Sequence, residues 1–160
     1  MAIEVEDGTG KTNSNSYISE ADFATYASDR GITVTGTASE LLIQAMDYIE
    51  QQPFKGWKYT DDQALQWPRG GVYIDGYYVD VDEIPQLLQE ALCEVALGVD
   101  AGNNPLATQD RMTKREKVGD IEVEYSESSR ATAYLAAAES KLQKLLKAGS
   151  GGISAVAIRA

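Results

Sequence analysis

Histidine is absent from this sequence and cysteine occurs once, at Cys93. Without histidine, the common zinc sites and the Ser-His and Cys-His nucleophile pairs lose their usual members, which argues against hydrolytic or metal catalysis. One cysteine cannot make a disulfide framework, as expected of a protein folded in a reducing cytosol. Cys93 falls opposite the apolar stripe of its helix and reads as a small helix residue. No apolar run reaches membrane-spanning length, and Met1-Ala-Ile-Glu-Val-Glu6 lacks the basic and apolar blocks of a signal peptide. The expectation is a soluble, intracellular, non-catalytic protein with no cofactor, no metal and no membrane partner.

Positive charge is also scarce. Fourteen basic against 25 acidic residues give a formal net charge of −11, which on average repels nucleic acid unless a local patch overrides the total. Basic residues cluster once, at Arg111, Lys114, Arg115 and Lys117, but Glu116, Asp120, Glu122 and Glu124 surround them. That pattern reads as a solvated, charge-mixed surface, or as a contact for an acidic protein neighbour.

What is present is a run of amphipathic helices. At 160 residues the chain suffices for one core. It is organised around Leu41 to Val99. Leu41, Leu42, Ala45, Tyr48, Ile49 and Gln52 recur at helical spacing, as do Ile84, Leu87, Leu88, Ala91, Leu92, Val95 and Val99. The connection between these two stripes holds Phe54, Trp57 and Trp67 and is expected to pack over the helix pair as a lid. An earlier helix opens at Ser19, with Asp22 as its capping-box partner, and closes at Gly31. Thr37 with Glu40 predicts a capping box for the second helix, which Pro53 stops. Asp82 is the expected cap of the third, with Pro85 in its first turn and Gly102 at its end. A fourth starts at Ser128 or Ser129, carries Tyr134, Leu135, Ala138, Leu142, Leu145 and Leu146, and ends at Gly149.

Between the helices the pattern changes. Ala2 to Glu6 alternates as a short edge strand before an Asp7-Gly8 turn. Gly8-Thr-Gly-Lys-Thr12 superficially resembles a phosphate-binding loop, but the position that needs glycine is Val5, so Thr9 to Ser16 is read as a polar loop. Asp61 to Leu65 suggests one helical turn, and Pro68 forces Trp67 to be extended. Val72 to Val79 predicts a hairpin turning at Asp75-Gly76. Its Tyr73, Tyr77 and Tyr78 offer flat faces for nucleobases. The acids Asp75, Asp80, Asp82 and Glu83 beside them favour a protein contact or lid packing instead, and their spacing does not fit a calcium loop. Arg115 to Val118 and Ile121 to Tyr125 flank Gly119-Asp120 as a second hairpin, marginal unless it leans on something else. Beyond Gly149-Ser-Gly-Gly152, the segment Ile153 to Arg159 is β-prone on a flexible tether, suited to adding a strand to a partner's sheet edge.

Several of these pieces occur together in one family. Glu6-Asp-Gly-Thr-Gly10, Asn15-Ser-Tyr17, Gln63-Ala-Leu-Gln-Trp-Pro-Arg69, Ile84-Pro85 and Glu116-Lys-Val-Gly119 with Ile121 to Tyr125 resemble, in order, the head-tail connector (adaptor or head-completion) proteins of tailed bacteriophages. Related sequences also carry the label DnaT-like single-stranded DNA-binding protein. The resemblance implies a mainly α fold: a small bundle of about four helices at 1–148, with a projecting β-hairpin at about 114–126, and an extended C-terminal tail at 149–160. It implies a structural virion protein, made in the host cytoplasm, that forms a ring of twelve under the portal. Such a ring would extend the channel, let duplex DNA pass without specific binding, and join a neck, stopper or tail-completion protein. Ile153, Val156, Ile158 and Arg159 would then dock on the portal, and Arg115, Lys117, Ile121, Val123 and Tyr125 would make subunit or channel contacts. Single-stranded DNA binding is the alternative, ranked second because of the charge balance and the lack of a basic-aromatic groove in the sequence.

Overall fold

A computed structural model describes residues 2–106, 115–118, 121–124 and 133–147. Four helices are found: α1 (Glu20–Asp29), α2 (Ala38–Ile49), α3 (Gln86–Asp100) and α4 (Ala133–Leu142). Alongside them run three two-stranded antiparallel ladders, β1 (Trp57–Lys58) with β2 (Arg69–Gly70), β3 (Tyr73–Ile74) with β4 (Tyr77–Tyr78), and β5 (Arg115–Val118) with β6 (Ile121–Glu124). The expected four helices are present. The domain is nevertheless mixed rather than a plain helical bundle, because the aromatic, glycine-rich connection from Phe54 to Val79 pairs with itself.

α3 is the central element. It packs against both α2 and α4, burying Leu88, Leu92 and Val95 with Leu42, Ala45 and Ile49 of α2 and with Leu135, Ala138 and Leu142 of α4. Phe23 and Ala27 bring α1 into the same core. Cys93, read from the stripe as lying off the core, is buried: α1 covers that side of α3, with Ile18, Tyr26 and Arg30 alongside the thiol. Among the described residues no helix is long and apolar enough to cross a membrane.

The helix ends show which local signals prevail. Ser19 and Asp22 form the expected capping box, the Asp22 N–H donating to Ser19 Oγ at 3.1 Å and the Ser19 N–H to Asp22 Oδ2 at 3.3 Å. At the other end Gly31 takes φ +66° while its N–H reaches Ser28 O and that of Ile32 reaches Ala27 O, the Schellman pattern. Gly102 repeats it for α3, with φ +88° and N–H bonds from Gly102 to Val99 O and from Asn103 to Gly98 O. Thr37, by contrast, makes no side-chain cap bond. The entry to α2 is fixed instead by Asp100 at the end of α3, whose carboxylate accepts the Gly36 N–H at 2.7 Å and the Thr35 N–H at 3.0 Å. α3 starts later than expected, with Pro85 rather than Asp82 at its N-cap, because Ile84 precedes a proline and is kept out of the helical region. The Ser128 and Ser129 caps and the Gly149 end expected for α4 lie outside the described residues, and the helix stops at Leu142 instead of carrying Leu145 and Leu146, because Leu146 bridges to Phe54 and Leu145 O accepts the Lys55 N–H.

Two further expectations are corrected. Instead of an edge strand at Ala2 to Glu6 there is a single bridge, Val5 with Ser16. Asp61 to Leu65 forms bends rather than a helical turn: the Gln63 side chain takes the bonds a helix would have made, accepting from Thr60 N–H at 2.9 Å and donating to Leu65 O at 2.8 Å and Pro68 O at 3.1 Å. The Asp75-Gly76 turn is as expected, with φ +51° and +89° at its two central residues, the type I′ geometry.

Candidate nucleic-acid interface

Gln63 to Arg69 is the scaffold of the candidate site rather than its surface. Gln63, Trp67 and Arg69 are all buried, and Trp67 meets Phe54 edge to face at 6.1 Å. The Arg69 guanidinium donates to Lys55 O at 2.7 Å, Gly56 O at 3.0 Å, and Gln66 O and Oε1 at 3.0 and 2.9 Å. It thereby ties the start of β1 to the start of β2. Desolvation lowers its pKa, while Tyr17 and Glu50 oppose that shift. Glu50 at the end of α2 accepts from the Tyr17 hydroxyl and from Gln66 N–H at 2.7 Å, and Tyr17 Oη in turn accepts the Trp67 N–H at 3.1 Å. Burial raises the pKa of Glu50 and pushes that of Tyr17 well above its usual value.

What this clamp presents outward is aromatic. Trp57, Tyr59, Tyr73, Tyr77 and Tyr78 are exposed, Trp57 to 66% and Tyr77 to 80%. This corrects the expectation that Trp57 packs in the lid, which only Phe54 and Trp67 do, and it removes the lid-packing half of the expectation for the hairpin tyrosines, a protein contact or lid packing. Tyr73 and Tyr78 face each other across the β3–β4 register with rings 5.4 Å apart. Lysines border the aromatics. Lys58 follows Trp57 in β1, and the Lys55 N–H donates to Leu145 O at 2.9 Å while its Nζ reaches Lys144 O at 2.7 Å. The Lys147 N–H bonds Pro53 O at 3.0 Å, and Lys144 Nζ pairs with Asp75 at 2.7 Å. The segment after α4 therefore brings Lys147 beside Pro53 to Lys55 and Lys144 to the hairpin turn at Asp75, while the Lys58 ammonium reaches Gln63 O at 3.4 Å. Basic side chains far apart in the sequence, Lys55 and Lys144, thus meet close to the β3–β4 turn.

The loop with a superficial phosphate-binding pattern is filled by the protein's own carboxylate. Glu6, only 2% exposed, accepts N–H bonds from Gly8 at 3.0 Å, Gly10 at 2.9 Å and Lys11 at 2.8 Å, and the Ser14 hydroxyl at 3.0 Å. Those amides form an anion-binding nest, and its occupant is already in place.

The residues singled out for docking contacts are not brought to this surface by any described contact. Arg115, Lys117, Ile121 and Val123 lie on β5 and β6, where Arg115 stands opposite Glu124 and Lys117 opposite Glu122. Tyr125, Ile153, Val156, Ile158 and Arg159 lie outside the described residues. Reading the sequence missed the exposure of Trp57. The available signal was Gly70-Gly71, a glycine pair bare enough for an aromatic ring to rest on.

No curated protein and no solved structure matches the chain. A family model described as "Putative DnaT-like ssDNA binding protein" matches residues 1–160. This match overturns the virion reading: it points to DNA binding and gives no support to a bacteriophage head-tail connector, to portal, neck or stopper partners, or to a ring of twelve. Matched from end to end, the chain belongs to the family described as "Putative DnaT-like ssDNA binding protein".

Proposed function

We propose that this protein binds single-stranded DNA, without catalysis, on the surface formed by Trp57, Tyr59, Tyr73, Tyr77 and Tyr78. The observation that carries the reading is the exposure of all five rings within one stretch of 22 residues, 57–78. Exposed aromatic side chains concentrated in one segment, with Tyr73 and Tyr78 paired across the hairpin, mark a candidate interaction surface. Aromatic faces suit unpaired bases, because every base offers a flat face and stacking tolerates any sequence. Lys144, held at the hairpin turn by Asp75, and Lys55, whose ammonium reaches Lys144 O, supply local positive charge near the tyrosines, against an overall charge of −11. Stacking then carries more of the affinity than phosphate contacts do, and binding should weaken only gently as salt rises.

The test is photo-crosslinking of the whole chain to an oligothymidylate, with the linked peptides identified by mass spectrometry. Crosslinks within 57–78 are expected. Crosslinks confined to other segments, or none at low salt, would contradict the reading.

A further inference from the structure

Trp57 is open on one side and braced on the other. β1 sets Trp57 opposite Gly70, and the indole lies along the backbone of Gly70 and Gly71. A Cβ on Gly71 would stand 2.2 Å from Cζ3 and 2.6 Å from Cη2, and one on Gly70 would stand 2.9 Å from Nε1 and 3.0 Å from Cε2. Any side chain at Gly71 would overlap the six-membered ring, and one at Gly70 would crowd the pyrrole edge. Gly56, just before Trp57, is equally constrained: its Cβ would fall 2.1 Å from Gly70 O. The two strands therefore approach closely enough to seat the ring, while the residue stays 66% exposed. An exposed tryptophan without such a seat samples several rotamers, and ordering it on binding costs entropy; a seated ring has already met that cost.

We infer that Trp57 is the principal stacking residue, taking one unpaired base on its outer face, and that Gly70 and Gly71 are positioning residues that hold the indole for it. This rests on the single-strand reading above. It differs from a purely structural role, in which the ring only covers bare cross-strand glycine backbone. A structural role would make these positions matter for stability and leave the affinity of the folded protein unchanged. Duplex DNA does not satisfy the site, because its bases are already covered on both faces.

The experiment titrates the whole chain and its variants with a fluorescein-labelled oligothymidylate at low salt, reading anisotropy and intrinsic fluorescence. Urea unfolding reports that each variant is folded. Trp67 is fully buried, so quenching on saturation reports on Trp57. Wild-type fluorescence should be quenched, Trp57→Ala should weaken binding roughly 5- to 150-fold, and Trp57→Phe should keep most of the affinity. Gly70→Ala, at a residue without a positive φ, should weaken binding when Trp57 is present and have no further effect on Trp57→Ala. If wild type binds but Trp57→Ala binds equally well, or if saturation leaves the fluorescence unchanged, the inference fails while the single-strand reading stands. Equal weakening by Gly70→Ala with and without Trp57 would overturn the positioning role. Absence of binding by the wild type would remove both.

Discussion

Asp75 holds Lys144 at 2.7 Å on the edge of the aromatic surface, where a DNA phosphate would compete for the same ammonium group. Replacing it with asparagine keeps a residue suited to φ +51° at the turn and releases the lysine. Asp75→Asn should therefore tighten oligothymidylate binding by up to about fivefold at low salt, the range an exposed ion pair spans; unchanged affinity would remove Lys144 from the interface. Cys93 provides a second test at this scale. Burial pushes its thiol up to about 12, so at neutral pH it stays protonated and unreactive. A thiol-specific reagent should label it slowly in the native protein and promptly in urea, and prompt native labelling would mean that α1 does not cover it. Both residues show what sequence reading recovers. The Asp75-Gly76 turn was legible because its geometry is local, whereas the burial of Cys93 depends on where α1 packs, and the different fates of Trp57 and Trp67 depend on distant partners: Trp57 stands opposite Gly70 in β1, while Trp67, outside any strand, is buried against Phe54.

Local signals dominate at the scale of elements wherever the bonds they make are local. Gly31 and Gly102 end their helices as the sequence predicts, and Ser19 caps α1 with Asp22. Thr37 gives way to Asp100, a residue 63 positions away in sequence, and no window around Thr37 could have revealed that. The loop after Glu6 is another case: its amides converge on one buried carboxylate. Glu6→Ala would leave Gly8, Gly10 and Lys11 amides without their acceptor, and a loss of ~2–4 kcal/mol in urea-unfolding stability is expected; a loss within ~0.5 kcal/mol would mean that the loop holds itself without the carboxylate. α4 is tied to α3 by Lys141 with Glu90, and that hydrogen bond lowers the Glu90 pKa against some desolvation. A lowered folded pKa contributes stability above the unfolded value and loses it as pH falls through the folded value. Glu90→Gln should therefore lose less stability than wild type as pH falls through and below the ordinary carboxylate range, read by urea unfolding at each pH. Glu50 acts in the opposite sense: burial raises its pKa, its contribution is present at low pH and lost as pH rises through the folded value, so acid relieves a strain that neutral pH imposes.

For the molecule as a whole, composition and the proposed function pull in different directions. A net charge of −11 predicts repulsion of nucleic acid, and from sequence alone that total outweighs three tyrosines flanked by acids. Folding changes the comparison by bringing Lys144 to the Asp75 turn and Lys147 beside Pro53 to Lys55, and by turning Trp57 outward. The four helices were readable because their apolar periodicity lies within each segment, whereas their ends were readable only at Ser19, Gly31 and Gly102. The candidate surface was not, because it exists only once the end of α4 meets the segment after Pro53. A surface built this way should favour bases it can stack over phosphates it must attract. The most direct test is a titration of the full chain with a labelled oligothymidylate and with a duplex of equal length, at low and at physiological salt. Tighter binding of the single strand at both salts, with only a gentle loss between them, is the predicted result. Equal affinity for duplex and single strand, or no binding to either at low salt, would contradict the account.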